Sequence, residues 1–76
     1  MSIRVKFFGS IRETVADAAH EVDAADLATA ADVWRRATSA ALPDDLHCAI
    51  NHAHATVDAK VTDGDEVAFF PTVTGG

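Results

Sequence analysis

The segment "IRVKFF", residues 3–8, alternates apolar and polar positions. A period of two predicts a half-buried strand. Ile3, Val5 and Phe7 fall on one face and Arg4, Lys6 and Phe8 on the other. Gly9 and Ser10 interrupt the pattern, and "IRETVA" (11–16) reads as a connection with one helical turn at most. "AHEVD" (19–23) predicts a second strand, His20 and Val22 opposite Glu21 and Asp23. The pattern then changes period. In "TAADVWRRATSAAL" (29–42), Ala30, Val33, Trp34, Ala37 and Ala41 recur at helical spacing, while Arg35 and Arg36 fall off that stripe. Thr29 suits the N-cap. Asp32, three residues on, completes a variant capping box and places its charge where the helix dipole favours it. Pro43 is the expected stop, because it lacks an N–H and disfavours helical geometry at Leu42.

Beyond the proline, "HCAIN" (47–51) predicts a third strand with Cys48 and Ile50 on one face. "NHAH" (51–54) reads as a turn and "ATV" (55–57) as a short fourth strand. Asp63-Gly64 marks a tight turn. Glu66, Val67, Ala68, Phe69 and Phe70 then alternate, with Val67 and Phe69 inward, until Pro71 ends the strand. Strand, strand, helix and three strands make an α+β domain in which one main helix covers one face of a mixed sheet of about five strands. The first and last strands are the most apolar, so the sheet centre is their expected place. That arrangement is the β-grasp, or ubiquitin-like, pattern. The expectation is a single domain over 1–76 with a flexible tail at 71–76.

Composition narrows the function. With 76 residues the core is small, and many of the hydrophobic 49% are alanine. Ile3, Val5, Phe7, Val33, Trp34, Ile50, Val61, Val67 and Phe69 are the expected large core residues. A formal charge of −6 with no basic run argues against nucleic acid. The start "MSIRVKFF" lacks the apolar core of a signal peptide, and no stretch approaches the roughly 18 apolar residues of a membrane span. One cysteine, Cys48, allows no intrachain disulfide, and a reducing cytoplasm is the expected compartment.

Few residues offer chemistry. His52-x-His54 reads as an exposed turn pair rather than a metal site, because no further ligands accompany it. Cys48 alternates with Ile50 and is expected to be buried and inert. Asp63 and Asp65 are explained by the turn around Gly64. Phe8 and Phe70 are different: alternation puts both on the face away from the helix. On neighbouring strands they would form an exposed aromatic patch, a candidate interface flanked by Arg4, Lys6 and Arg12. The alternative is chance exposure of single apolar residues.

"VKFFGSIRE", "TDGDEVAFFP" and the terminal "VTGG" together resemble the small-subunit family of molybdopterin synthase, the MoaD-like sulfur carriers. The resemblance spans the chain, although 14–46 is generic. The sequence departs from the family at Thr72, where a second proline is frequent, and in its alanine-rich helix with Trp34. The resemblance implies that Gly76 is the working residue. An ATP-using enzyme, similar to those that activate ubiquitin, adenylates its carboxylate. A sulfur donor protein converts this to a thiocarboxylate, and the large synthase subunit passes the sulfur to cyclic pyranopterin monophosphate. Thr74 and Gly75 would fit the large subunit's channel, and the assembly would be a heterotetramer. The chain itself would bind no cofactor or metal and would be a carrier, with the active site on the large subunit. A carrier for thiamin or cysteine synthesis, a ubiquitin-like modifier joined to lysines through Gly76, and a plain β-grasp binding module are the alternatives. Thiamin carriers look shorter and lack the "FFGSIRE" opening.

Overall fold

A computed structural model describes residues 1–15, 17–44 and 46–71. The elements are β1 (Ser2–Phe7), α1 (Ser10–Thr14), β2 (Glu21–Asp23), α2 (Ala30–Ala37), β3 (His47–Ile50), β4 (Ala53–Ala55) and β5 (Glu66–Phe70). The strands form one five-stranded sheet in the order β2-β1-β5-β3-β4. The two most apolar strands, β1 and β5, are central and parallel, with Val5 opposite Val67 and Phe7 opposite Phe69. The other pairings are antiparallel. This mixed sheet with one main helix is the β-grasp arrangement.

Alternation decides what is buried. Ile3, Val5, Phe7, Val67 and Phe69 enter the core from the central strands, and Val33 and Trp34 meet them from α2. Trp34 and Phe69 are wholly buried, their rings edge to face with centroids 5.2 Å apart. Phe7 stacks on Phe69 and meets Trp34 at its edge. Such geometry suits the ring quadrupoles. The Trp34 indole N–H donates to the Ala40 carbonyl over 3.0 Å, so the core contains no orphaned donor there. Of the expected core residues only Ile50 is half-buried.

The capping box forms: Thr29 Oγ1 accepts the Asp32 N–H, and the Asp32 carboxylate accepts the Thr29 N–H. The helix ends earlier than Pro43. Thr38 turns into extended backbone, its hydroxyl accepts the Ala40 N–H, and Ala41 is exposed. Serine and threonine side chains compete in this way with the helical ladder. The connection after β1 contains a true helix, α1, whose Ile11 is buried with Val15 just beyond it. The turn after β3 is also shorter than expected. Asn51 and His52 alone form it, both at positive φ (52° and 72°), so Ile50 pairs with Ala53. That is the backbone of a two-residue type I′ hairpin. The fourth strand consequently starts at Ala53, and His54 lies in a strand rather than a turn. No helix among the described residues is long and apolar enough to cross a membrane.

Candidate functional site

The face of the sheet opposite α2 carries the outward positions of the central strands. Arg4, Lys6 and Phe8 come from β1 and its continuation, and Glu66, Ala68 and Phe70 from β5. The Phe8 N–H donates to the Phe69 carbonyl (3.0 Å), so the ladder runs one residue past β1 and keeps Phe8 in register. Phe8 is 48% exposed, an unusual state for a large hydrophobic residue in this chain. Phe8 and Phe70 line one depression with Lys6, Ala49, Ala68 and Glu66. The structure therefore brings the two aromatics together, but Phe70 is half-buried because His47 and His54 lie against it. The His47 ring stacks on Phe70 at 5.8 Å and 19°, and the His54 ring is tilted against it at 6.0 Å.

The charges on this face are organised around Glu66, whose side chain is only 14% exposed. Arg4 Nη2 lies 3.8 Å and Lys6 Nζ 3.7 Å from Glu66 Oε1, and His52 Nε2 lies 3.5 Å from Oε2. Arg4 and Lys6 are themselves largely exposed, so these contacts add little stability. They instead hold two cations beside the aromatic pair. Arg12 is not brought to this depression. It is exposed on α1 and lines a separate hollow with Gly9, Ser10, Glu13 and His20.

The start of β5 is braced by Asp65. Its Oδ2 accepts the Thr62 N–H (2.8 Å) and its Oδ1 accepts from Asn51 Nδ2 (2.9 Å). These bonds, the backbone donor foremost, hold the Asp65 carboxyl below its ordinary range. Asn51 Oδ1 in turn accepts the Glu66 N–H, tying the hairpin turn to the strand that carries Glu66 and Phe70. At the other end of β5, Pro71 packs close to Gly9. A Cβ there would lie 3.1 Å from Pro71 Cγ, and Gly9 sits at φ 62°. Glycine meets both demands.

Thr74, Gly75 and Gly76 lie outside the described residues, as does Thr72. Cys48 is buried, and burial raises its thiol pKa, which disfavours the reactive thiolate. No group of three or more His, Cys, Asp or Glu among the described residues could hold a metal ion. Sequence reasoning missed the His47–His54 pairing. The signal was available: reading Asn51-His52 as a two-residue turn places His47 and His54 diagonally on one face.

Comparison with known proteins adds the following. Residues 5–76 match the ThiS family. The chain is 44% identical to the molybdopterin synthase sulfur carrier subunit of Escherichia coli (strain K12), over 97% of this chain and 99% of that one. Its fold matches the crystal structure of SAMP1 from Haloferax volcanii with a TM-score of 0.72 and 25% identity, covering all of both chains. It also matches a chain of the Amycolatopsis orientalis BexX/CysO complex, with a TM-score of 0.60 and 20% identity over 97% of this chain and 99% of that one. The last likeness is one of fold alone.

Proposed function

The chain belongs to the ThiS family, and from that premise we propose that it is the sulfur carrier subunit of a molybdopterin synthase. The observation that carries the reading is the match, along nearly the whole of both chains, to the E. coli carrier subunit. In this reading Gly76 holds the transferable atom. A carboxylate is a poor electrophile, so its oxygen first attacks the α-phosphorus of ATP on a separate activating enzyme, and pyrophosphate leaves. Sulfide-level sulfur (HS⁻) released by a donor protein then attacks the acyl carbon, AMP leaves, and the product is a thiocarboxylate. The large synthase subunit receives the tail, and the sulfur passes to cyclic pyranopterin monophosphate. Once the sulfur is bonded to the pterin, water cleaves the acyl–sulfur bond at Gly76, which restores the carboxylate, and the chain is reused. Gly75 has no side chain to obstruct a narrow channel. Thr74 fits the channel with Gly75, and the shielding keeps water from the thiocarboxylate until its sulfur has been transferred.

The folded part serves docking. Phe8 and the exposed edge of Phe70 present apolar surface, with Arg4 and Lys6 beside it to meet carboxylates of the large subunit. Arg12 stands outside this patch, beside a separate hollow. No catalytic constellation is needed on this chain, and the cytoplasm is its expected place. A second reading, conjugation through Gly76 to lysines, draws on the structural likeness to SAMP1, which is also described as a small archaeal modifier protein.

One experiment separates the two. The thiocarboxylated chain is mixed with the large subunit and the pterin precursor, and each chain should lose one sulfur as molybdopterin forms. A chain that keeps its sulfur, together with a ladder of covalent conjugates in cell lysate, would establish the modifier instead.

A further inference from the structure

Two of the four histidines meet on the outer sheet face. His47 opens β3 and His54 lies in the middle of β4, diagonal across a ladder in which Ala49 pairs with His54. Nδ1 of His47 lies 3.2 Å from Nε2 of His54, so one ring donates its N–H to the lone pair of the other. Both rings also rest on Phe70. We propose that the hydrogen-bonded His47–His54 pair is a proton-operated cover for Phe70: two imidazolium rings cannot keep this contact, so acid releases His54 and exposes more of the Phe70 ring.

The proton count decides what the contact tolerates. A neutral pair keeps one N–H between the two nitrogens and one lone pair to accept it. One added proton preserves that arrangement, because it goes to the far nitrogen of the donor ring. A second added proton has no site left except the facing nitrogen. Two N–H donors, each on a cationic ring, would then point at one another across 3.2 Å with no acceptor between them. No carboxylate among the described residues pairs with either ring. On the same face β1 contributes Arg4 and Lys6, the hairpin turn His52 and β5 Glu66, and Glu66 is engaged by the other three. Asp44 before β3 and Asp58 after β4 are exposed, and neither forms an ion pair with His47 or His54. Cys48, the remaining titratable group of these two strands, is buried on the opposite face.

The two rings are held unequally, so His54 is the one that moves. His47 is half-buried and lies nearly parallel to Phe70, with 19° between the planes, and cation–π attraction favours that contact when the ring is charged. His54 is exposed on the edge strand and tilted by 53° against Phe70. The cover lies beside the depression that Phe8 and Phe70 share, so acid enlarges the apolar surface there and adds positive charge to it. It acts in the isolated chain and does not depend on the sulfur-carrier reading.

The test is NMR of the full chain at about pH 8 and about pH 4.5, on either side of the ordinary imidazole value of about 6.5. At the higher pH both imidazoles should show cross-relaxation to the Phe70 ring. At the lower pH the His54 cross-peaks should be lost and those of His47 kept, with ring nitrogen shifts showing both imidazoles protonated. Stability gives a second readout. The folded pair takes up fewer protons than two separate imidazoles in the unfolded chain, so its contribution to stability falls as pH falls. Urea unfolding should therefore show a larger loss between the two pH values in the unmodified chain than in His54→Gln, which keeps the exposed position polar. His20→Gln, whose ring lies beside Phe7 rather than Phe70, should show the same loss as the unmodified chain. His54 cross-peaks that persist at the lower pH, whether the pair holds one added proton or two, overturn the proposal. So does an equal loss in His54→Gln.

Discussion

Replacing Phe8 with alanine separates docking from folding. A phenylalanine side chain buries about 150–250 Å² when fully covered. With 48% of it exposed, roughly 100 Å² remains for a partner to cover. At about 25 cal/mol per Å², covering that area contributes about 2.5 kcal/mol to the complex. The dissociation constant for the large synthase subunit should therefore rise roughly 60-fold, at about 1.4 kcal/mol per factor of ten. The half already covered bounds the cost to the fold at about the same figure. A domain with about 5–15 kcal/mol of stability remains folded after that loss. Calorimetric titration against the large subunit measures the first quantity, and urea unfolding measures the second. Arg35→Ala, on the helix face, is the control and should bind normally. A Phe8→Ala chain that is folded and binds with unchanged affinity would refute the placement of the docking face.

Trp34 joins the helix to the sheet and donates to Ala40, so Trp34→Ala should lose about 3–5 kcal/mol in urea unfolding. Trp34→Phe keeps an aromatic ring but removes the indole donor to the Ala40 carbonyl, which keeps only the longer Thr38 hydroxyl contact (3.4 Å), costing about 0.5–1.5 kcal/mol; a loss below a few tenths would contradict the role given to that bond. Asp65 has a carboxyl pKa lowered on folding, so it stabilises the fold above its unfolded value and the stabilisation is lost as pH falls from about 4 through the lowered folded value. Asp65→Asn should accordingly be less stable at neutral pH and show a flatter acid-unfolding profile; profiles of equal slope would count against it.

What was legible in the sequence follows from how local each cause is. β1 and β5 declare themselves because alternation over five or six residues, rich in β-branched and aromatic side chains, has one interpretation. The start of α2 is equally local, since Thr29 and Asp32 satisfy each other's backbone donors. Its end is not. Pro43 is a conspicuous stop, but Thr38 and the Trp34 indole capture Ala40 first, and that contact requires the packed core. α1 was legible only as a connection with one helical turn, because five residues are too few for a periodic signal, although Ile11 and Val15 lie four apart. The hairpin turn escaped because Asn-His is not the usual Asn-Gly pair. Misplacing that turn by two residues hid the His47–His54 contact and the half-burial of Phe70. The role of Gly75 and Gly76 rests on resemblance to the family, because two glycines without their context are as well explained by slack chain.

The central claim is that Gly76 carries sulfur. Intact-mass spectrometry of the chain after incubation with its activating enzyme, ATP and a sulfur donor tests it directly. The account predicts a mass increase equal to one oxygen replaced by sulfur, located at Gly76 by fragmentation and absent when Gly76 is deleted. An unmodified chain, or the same increase in the truncated one, would contradict it.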